Sequence, residues 1–325
     1  MARRRTRWLQ VLKPIPPRAR LVIGVLSFAL PLLLWSIVSY VPFVWHPQVF
    51  ITSSGSVDYL SAGMRMNKKD FANVVADAKA ENKEPPEGVA SNPIYLPAPH
   101  EVIRALYTSF TTPPPSQDGN WLHESLWHSI QIIFWGFLIA SAIGVPLGVL
   151  CGTYAVFARL NEPFIEFFRY LPAPAFGALA VAILGIYDGP KIAIIVIGTL
   201  FQQVLIVANT TRKLDVGLVE AALTLGAKDA RKLLSRVVIP GILPDLYRDQ
   251  RILLGWAWTY LIVAELIGST SGITWFITQQ ARYQHFENVY AAIIIIGIIG
   301  LGTDIVLGLL GKRLFPWDRP LGNPA

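Results

Sequence analysis

The feature that most constrains this chain is a series of long apolar runs without charged residues. The first run, residues 21–44, carries no charged side chain, and a helix needs about 20 apolar residues to cross a bilayer. Hydrophobic residues make up 53% of the chain and charged residues only 15%. An ordinary soluble domain carries about 25% charged residues. The pattern predicts an all-α polytopic membrane protein.

Six runs are long enough to predict six transmembrane helices. They cover residues 21–44, 130–151, 170–187, 192–211, 252–267 and 289–311. Pro172 and Pro174 interrupt the third run, so a bent span is expected there. Gly144, Gly148 and Gly152 recur at four-residue spacing, which lets two helix backbones approach closely. Packing inside the subunit is favoured over a contact between two copies.

Charge predicts the orientation of these spans. Residues 1–20 contain seven basic and no acidic side chains, and basic flanks stay in the cytoplasm. The run at 21–44 is too long for a signal-peptide core, although a basic transit peptide remains an alternative. An even number of spans returns the tail, residues 312–325, to the same side. Both termini are therefore expected in the cytoplasm.

Two polar segments interrupt the apolar pattern. Residues 45–125, between the first two spans, hold nine acidic and six basic residues, a net of −3. We expect this extracytoplasmic insert to be partly irregular, with one exposed helix over residues 69–83 closed by Pro85 and Pro86. The core of five predicted spans, residues 126–311, contains the second polar segment, a basic cytoplasmic loop at 212–248.

The loop at 212–248 predicts a pair of short helices. Asp215 is a good N-cap for the first, and Gly226 can supply the left-handed residue that ends it. Asp229 can cap the second, which Pro240 is expected to stop. The remaining cytoplasmic sequence is too short to cover the apolar face of this pair. A partner protein is therefore expected to cover it.

The sequence argues against several other functions. It contains no phosphate-binding G-x-x-x-x-G-K-[ST] motif, so no ATP site is expected in this chain. His123 and Glu124 lack the second histidine of a zinc-protease helix because residue 127 is Trp127. We therefore expect no catalytic residues, metal or cofactor. Basic residues adjoin the apolar runs, which also argues against nucleic-acid binding.

Several motifs resemble one family of transport proteins. Glu220-Ala221-Ala222, Gly226 and Val237-Val238-Ile239-Pro240 resemble the coupling loop of permeases from binding-protein-dependent ABC importers. Further stretches resemble the nitrate, taurine, sulfonate and bicarbonate branch: Leu96-Pro97-Ala98-Pro99, residues 144–152, Leu171-Pro172, Ala264-Glu265-Leu266, Ser271-Gly272 and Phe315-Pro316-Trp317. Two departures are visible. One extra residue separates Gly226 from the closing Ile239-Pro240, which could shift the second helix in its groove, and the insert is longer than this branch usually carries.

The resemblance implies a subunit that works with several partners. These are a second permease copy in a homodimer, two cytoplasmic ATPase subunits or domains that bind ATP and Mg²⁺, and an extracytoplasmic substrate-binding protein. The complex would import a small anion by alternating access. The implied ATPase-coupling residues are Glu220, Ala221, Ala222, Gly226, Val237, Ile239 and Pro240.

Polar residues inside the spans are candidates for the translocation path, because burying them in lipid is costly. Gln202, Gln203 and Glu265 are the candidates. Amide donors suit an anion better than carboxylates do, and only one of two adjacent glutamines can face a pore. Glu265 and Asp304 are interpreted first as structural. Two alternatives stay open: a gradient-driven transporter with Glu265 and Asp304 as a proton relay, and an intramembrane enzyme.

Overall fold

The computed structural model describes residues 15–41, 44–113, 121–227, 229–267 and 271–318. Most of the basic N-terminus, together with Lys228 and Arg319, lies outside the described residues. The chain divides into two compact units. One comprises residues 1–107 with 284–288, and the other comprises residues 108–283 with 289–325.

Helices dominate the described residues, and their bounds are as follows. They are α1 Pro17–Tyr40, α2 Lys68–Ala80, α3 Pro99–Thr111, α4 Leu122–Thr153, α5 Ala155–Phe168, α6 Gly177–Leu184, α7 Asp188–Arg212, α8 Val216–Thr224, α9 Ala230–Leu233, α10 Ile239–Glu265, α11 Ile273–Arg282 and α12 Phe286–Leu314. A 3-10 turn covers Ala173–Phe176 and a π-helical turn covers Leu234–Val238. Three strands complete the set: β1 Gln48–Ser53, β2 Arg65–Asn67 and β3 Glu87–Ser91.

Four described helices, α1, α4, α7 and α12, are long and apolar enough to cross a membrane. A fifth span is possible if α5 and the helical stretch Ala173–Leu184 are counted as one broken crossing. Helix α10 does not qualify by composition, because its first half carries charged residues. The predicted total of six spans and the side on which each terminus lies stay predictions.

The third run is bent, as its prolines predict, but it is not one span over residues 170–187. Helix α5 and the stretch Ala173–Leu184 meet at an angle of 85°. Pro172 caps the 3-10 turn and Pro174 lies in its first positions. A proline disfavours helical backbone in the residue before it, so the two prolines separate the helices instead of bending one.

Glycines allow α4 and α7 to pack closely inside one subunit. A Cβ on Gly148 would lie 2.6 Å from Cβ of Val207, and one on Gly152 would lie 2.4 Å from Cβ of Thr211. Neither approach leaves room for a side chain. The predicted intrasubunit use of the four-residue glycine spacing is therefore confirmed.

The insert departs from the all-α expectation, because it contains a small sheet. The strand order is β2-β1-β3, and both pairs are antiparallel. Val49 and Ile51 alternate on the buried face of β1, where a Cβ on Gly88 would also meet the ring of Phe71 from α2 at 3.3 Å. The helix predicted over residues 69–83 is present as α2. The strands were missed because they are short and only their alternation at 49 and 51 marks them.

Candidate functional site

The first candidate site is the coupling segment, defined as residues 212–248. Its first helix, α8, begins at Asp215, whose carboxylate accepts a hydrogen bond of 2.9 Å from the Gly217 backbone N–H. The helix ends at Gly226, which has a φ of +90°. The backbone N–H groups of Gly226 and Ala227 donate back to the preceding turn at 3.0 Å each. This is a complete Schellman cap, which the sequence predicted through Gly226 alone.

The second helix, α9, is also capped as expected, because Asp229 accepts from the Arg231 N–H at 3.0 Å. Its end is different from the expectation. Helix α9 runs through the π-helical turn Leu234–Val238 directly into α10, and Pro240 lies in the first turn of α10. A proline ring clashes with the carbonyl four residues earlier in a regular helix. We attribute the continuous path to the π turn, which widens the helix where that clash would occur.

The π turn also accommodates one residue more than an α-turn of similar rise. The extra residue expected between Gly226 and Ile239-Pro240 stays a prediction, and the π-helical turn Leu234–Val238 is the element that would accommodate it. Residues on either side of the turn belong to regular helix. The position of the second helix in a partner groove stays a prediction.

Apolar side chains of the coupling segment are uncovered. Helix α8 has no buried residue. Leu225, at its C-cap, is 89% exposed and Val216, at its first position, is 64% exposed. Burying a leucine side chain contributes about 1.5–3 kcal/mol, so this surface suits a protein partner.

The base of the coupling segment is packed, in contrast to its tip. Ile242 and Leu246 of α10 are buried with Val149 and Val207, and Leu214 packs against the same cluster. The segment therefore presents an exposed tip on a fixed base. Helix α9 continues through the π-helical turn into α10, so the second helix of the segment and α10 form one uninterrupted helical path.

Ion pairs further fix this base. Arg248 binds Asp245 at 2.5 Å and also contacts Asp318 near the C-terminus. The hydrogen bond with Asp318 raises the pKa of Arg248, so the guanidinium stays charged. Nearby, the hydroxyl of Tyr247 donates to the Leu307 carbonyl at 2.7 Å. These contacts attach α12 and the segment that follows it to the first half of α10.

The structure places the predicted coupling residues on both sides of Gly226. Glu220, Ala221, Gly226 and Pro240 are exposed, Ala222 and Val237 are half-buried, and Ile239 is 38% exposed. They are thus accessible around the two caps, although their contact with a partner is a prediction.

The two glutamine candidates for the path have different surroundings. Gln203 is fully buried, and its amide nitrogen donates to the Ser141 hydroxyl at 2.9 Å and to the side-chain oxygen of Gln250. Gln203 therefore joins α4, α7 and α10. Gln202 is half-buried. Of the pair, Gln202 is the better candidate for a path.

The carboxylates in the apolar helices are engaged with other groups. Asp304 pairs with Arg251 of α10 at 2.8 Å. Glu265 is 2% exposed and accepts hydrogen bonds from the Ser129 hydroxyl and from the Thr274 N–H, the latter at 2.8 Å. Both arrangements agree with the structural interpretation made from the sequence.

Sequence reasoning missed a buried lysine at the start of α7. Lys191 is 2% exposed and binds Asp188 at 2.9 Å and the Ser271 hydroxyl at 3.2 Å. Asp188 also lies 3.0 Å from Nε2 of His128. The i,i+3 spacing of Asp188 and Lys191 was the available signal. Among the described residues, no group of three or more His, Cys, Asp or Glu could hold a metal ion.

The long apolar helices define a polytopic membrane protein, and the coupling segment exposes apolar side chains. Residues 144–316 match the family of binding-protein-dependent transport system inner membrane components. The chain belongs to that family, and the resemblance noted in its motifs is confirmed.

Individual relatives agree with this assignment. A probable ABC transporter permease protein of Brucella abortus (strain 2308) is 32% identical over 230 residues, which cover 71% of this chain and 89% of the relative. The taurine transport system permease protein TauC of Escherichia coli (strain K12) is 30% identical over 226 residues, covering 70% of this chain and 81% of TauC. In fold, the chain resembles the inward-facing MetNI methionine ABC transporter with a TM-score of 0.52 at 21% identity, over 61% of this chain and 97% of that one.

Proposed function

We propose that this chain is the non-catalytic permease subunit of an ATP-driven importer for a small anion, and that it moves its solute by alternating access. In this proposal it forms a homodimer in the bacterial inner membrane. Two ATPase subunits bind ATP and Mg²⁺ on the cytoplasmic side, and a soluble binding protein delivers the solute on the other side.

The proposal rests on the exposed apolar surface of the coupling segment and on its connection to α10. The two N-caps of the segment begin the short helices of an exposed tip, where Leu225 is almost fully accessible. The second of these helices, α9, continues through the π-helical turn into α10. A protein docked on the tip would therefore act directly on a helix of the permease core.

We infer the class of solute from the named relatives and from Gln202, the uncharged candidate for the translocation path. TauC is named for taurine, which carries a sulfonate anion. Gln202 offers amide donors to such an anion without the repulsion that a carboxylate would exert. We infer a sulfonate-like, nitrate-like or bicarbonate-like solute.

The gradient-driven alternative is not favoured by the surroundings of its two carboxylates. Asp304 is held by Arg251, and Glu265 is held by Ser129 and Thr274. A proton relay needs carboxylates that can gain and lose protons during transport. Protonating Asp304 would remove the charge partner of Arg251. Protonating Glu265 would weaken its hydrogen bonds with Ser129 and Thr274.

The test is uptake by the complete complex in proteoliposomes. The tagged chain is purified from its native membranes with its co-purifying ATPase, and the binding protein is added. Radiolabelled taurine, an alkanesulfonate, nitrate and bicarbonate are then offered with ATP or with ADP. We expect uptake of at least one of these solutes with ATP and no uptake with ADP. Uptake driven by a proton gradient without an ATPase would contradict it.

A further inference from the structure

The two ends of α10 contact different parts of the molecule. Its first turn continues from the coupling segment, and its last residue is Glu265, followed by α11. The helix has 27 residues, which corresponds to about 40 Å at 1.5 Å per residue. One helix therefore connects the base of the coupling segment with Glu265.

Glu265 binds two other elements at that far end. One carboxylate oxygen accepts from the Ser129 hydroxyl of α4, and the other accepts from the Thr274 N–H of α11 at 2.8 Å. The Ser129 oxygen in turn accepts from the Ile273 N–H at 2.8 Å. We call Ser129, Glu265, Gly272, Ile273 and Thr274 the Glu265 cluster.

The cluster is buried and closely fitted. Ser129 is fully buried, and Glu265 and Thr274 are nearly so. Gly272 has a φ of +103°, and a Cβ there would lie 2.3 Å from Oε1 of Glu265. Another residue at this position would be strained by the backbone conformation, and its Cβ would displace the Glu265 carboxylate.

Separating α11 from α10 would leave the Thr274 N–H and a carboxylate oxygen without partners in a buried site. Such unsatisfied groups cost about 1–3 kcal/mol each, and more when they are charged. The residue before Gly272 is also held, since Lys191 of α7 binds the Ser271 hydroxyl. Moving α10 without α11 would therefore cost the free energy of these broken hydrogen bonds.

We propose that Glu265 is a positioning residue that keeps α11 in register with α10, so that a displacement of the coupling segment reaches α11. Helix α11 then acts as the element that opens and closes the far end of the path. This proposal rests on the proposed ATP-driven import. It assigns Glu265 a role in coupling rather than a contact with the solute.

The experiment compares ATP hydrolysis with solute uptake in reconstituted complexes. Glu265→Gln keeps the size of the side chain, removes its charge and replaces one carboxylate acceptor with an amide donor, so the Ser129 hydroxyl can no longer donate to that position. Gly272→Ala places a methyl group against the carboxylate. The matched control is Gly185→Ala, because Gly185 has a similar backbone, φ +81° and ψ −165°, but open space around its Cβ.

For Glu265→Gln and Gly272→Ala, we expect uptake per ATP hydrolysed to fall about tenfold, the order that loss of one buried partner gives. The hydrolysis rate should stay within about twofold of wild type, since the docking tip is intact. Gly185→Ala should keep the wild-type ratio. If Glu265→Gln fails to fold, Ser129→Ala gives the same readout while leaving the charge and the Thr274 contact in place.

Two results overturn the inference. One is an unchanged ratio of uptake to hydrolysis in the folded variants. The other is a parallel loss of both activities together with thermal stability, which indicates a structural role only. These outcomes are distinct from failure of the proposed function, in which the wild-type complex itself shows no ATP-driven uptake.

Discussion

The two ends of α10 are built in opposite ways. The tip of the coupling segment is stabilised by local contacts, such as the Asp215 cap two residues from its partner N–H, and its apolar side chains are exposed. The Glu265 cluster joins residues separated by 136 positions in the chain and is buried. An end that docks on a partner must keep its surface free. An end that transmits motion must hold its neighbours tightly.

The difference predicts different consequences of substitution at the two ends. At the coupling segment, a change should alter the conformation of the tip and leave the packed core intact. At the Glu265 cluster, a change should disturb contacts between three helices. Variants at the coupling segment are therefore the way to separate docking from folding.

The largest effect is expected from Gly226→Val. A β-branched residue at a φ of +90° is strained by at least about 1–2 kcal/mol, which should break the Schellman cap and misplace the tip. We expect ATP-driven uptake to fall about tenfold or more while membrane insertion is unchanged. Uptake in proteoliposomes and the yield of purified protein measure the two quantities.

The control for Gly226→Val is Gly63→Val in the insert, where φ is +94° and the Cβ position is also open. It imposes similar strain away from the coupling segment and should leave uptake close to wild type. Normal transport by Gly226→Val would show that the conformation of the coupling segment is not needed for docking.

A smaller effect is expected from Asp215→Ala. Loss of an N-cap costs about 1 kcal/mol, enough to fray α8 but not to unfold the protein. Hydrogen exchange of the amides at residues 216–224 should become faster, and uptake should fall by about twofold to fivefold. Asp215→Asn keeps a capping oxygen and should restore both. Unchanged exchange in Asp215→Ala would show that the cap does not hold the tip.

The smallest effect is expected from deleting Ser235 in the π turn. The deletion allows Leu234–Val238 to form a regular α-turn while the helices on both sides keep their faces. Uptake should stay within about twofold of wild type. Deleting Ala221 is the matched control, since removing one residue from a regular helix rotates the rest by about 100° and should abolish coupling. Equal loss in both deletions would show that the π turn does not absorb the extra residue.

The sequence predicted the coupling segment well because its signals are local. Asp215, Gly226 and Asp229 act within a few residues of their positions, so spacing alone revealed all three caps. Pro240 was misinterpreted because its effect depends on the π turn that precedes it, which no single residue marks. Locally, a proline inside an apolar pattern reads as a stop.

The Glu265 cluster could be predicted only in outline. A structural role for Glu265 was predicted from the sequence, but the pairing with Ser129 depends on how α4 lies against α10. Lys191 was missed for the same reason, since its partner Ser271 is 80 residues away. The sheet of the insert was missed because β2 has three residues, too few for an alternation pattern.

Cross-linking from the tip of the coupling segment tests the central claim most directly. Leu225 is 89% exposed, whereas the single native cysteine, Cys151, is buried, so Leu225→Cys supplies one reactive thiol. A short bifunctional reagent applied to native membranes should join this residue to the ATPase subunit, and ATP should change the yield. Val89→Cys, 63% exposed in the insert, should not form that product. Absence of the product from Leu225→Cys, or an equal yield from Val89→Cys, would contradict the account.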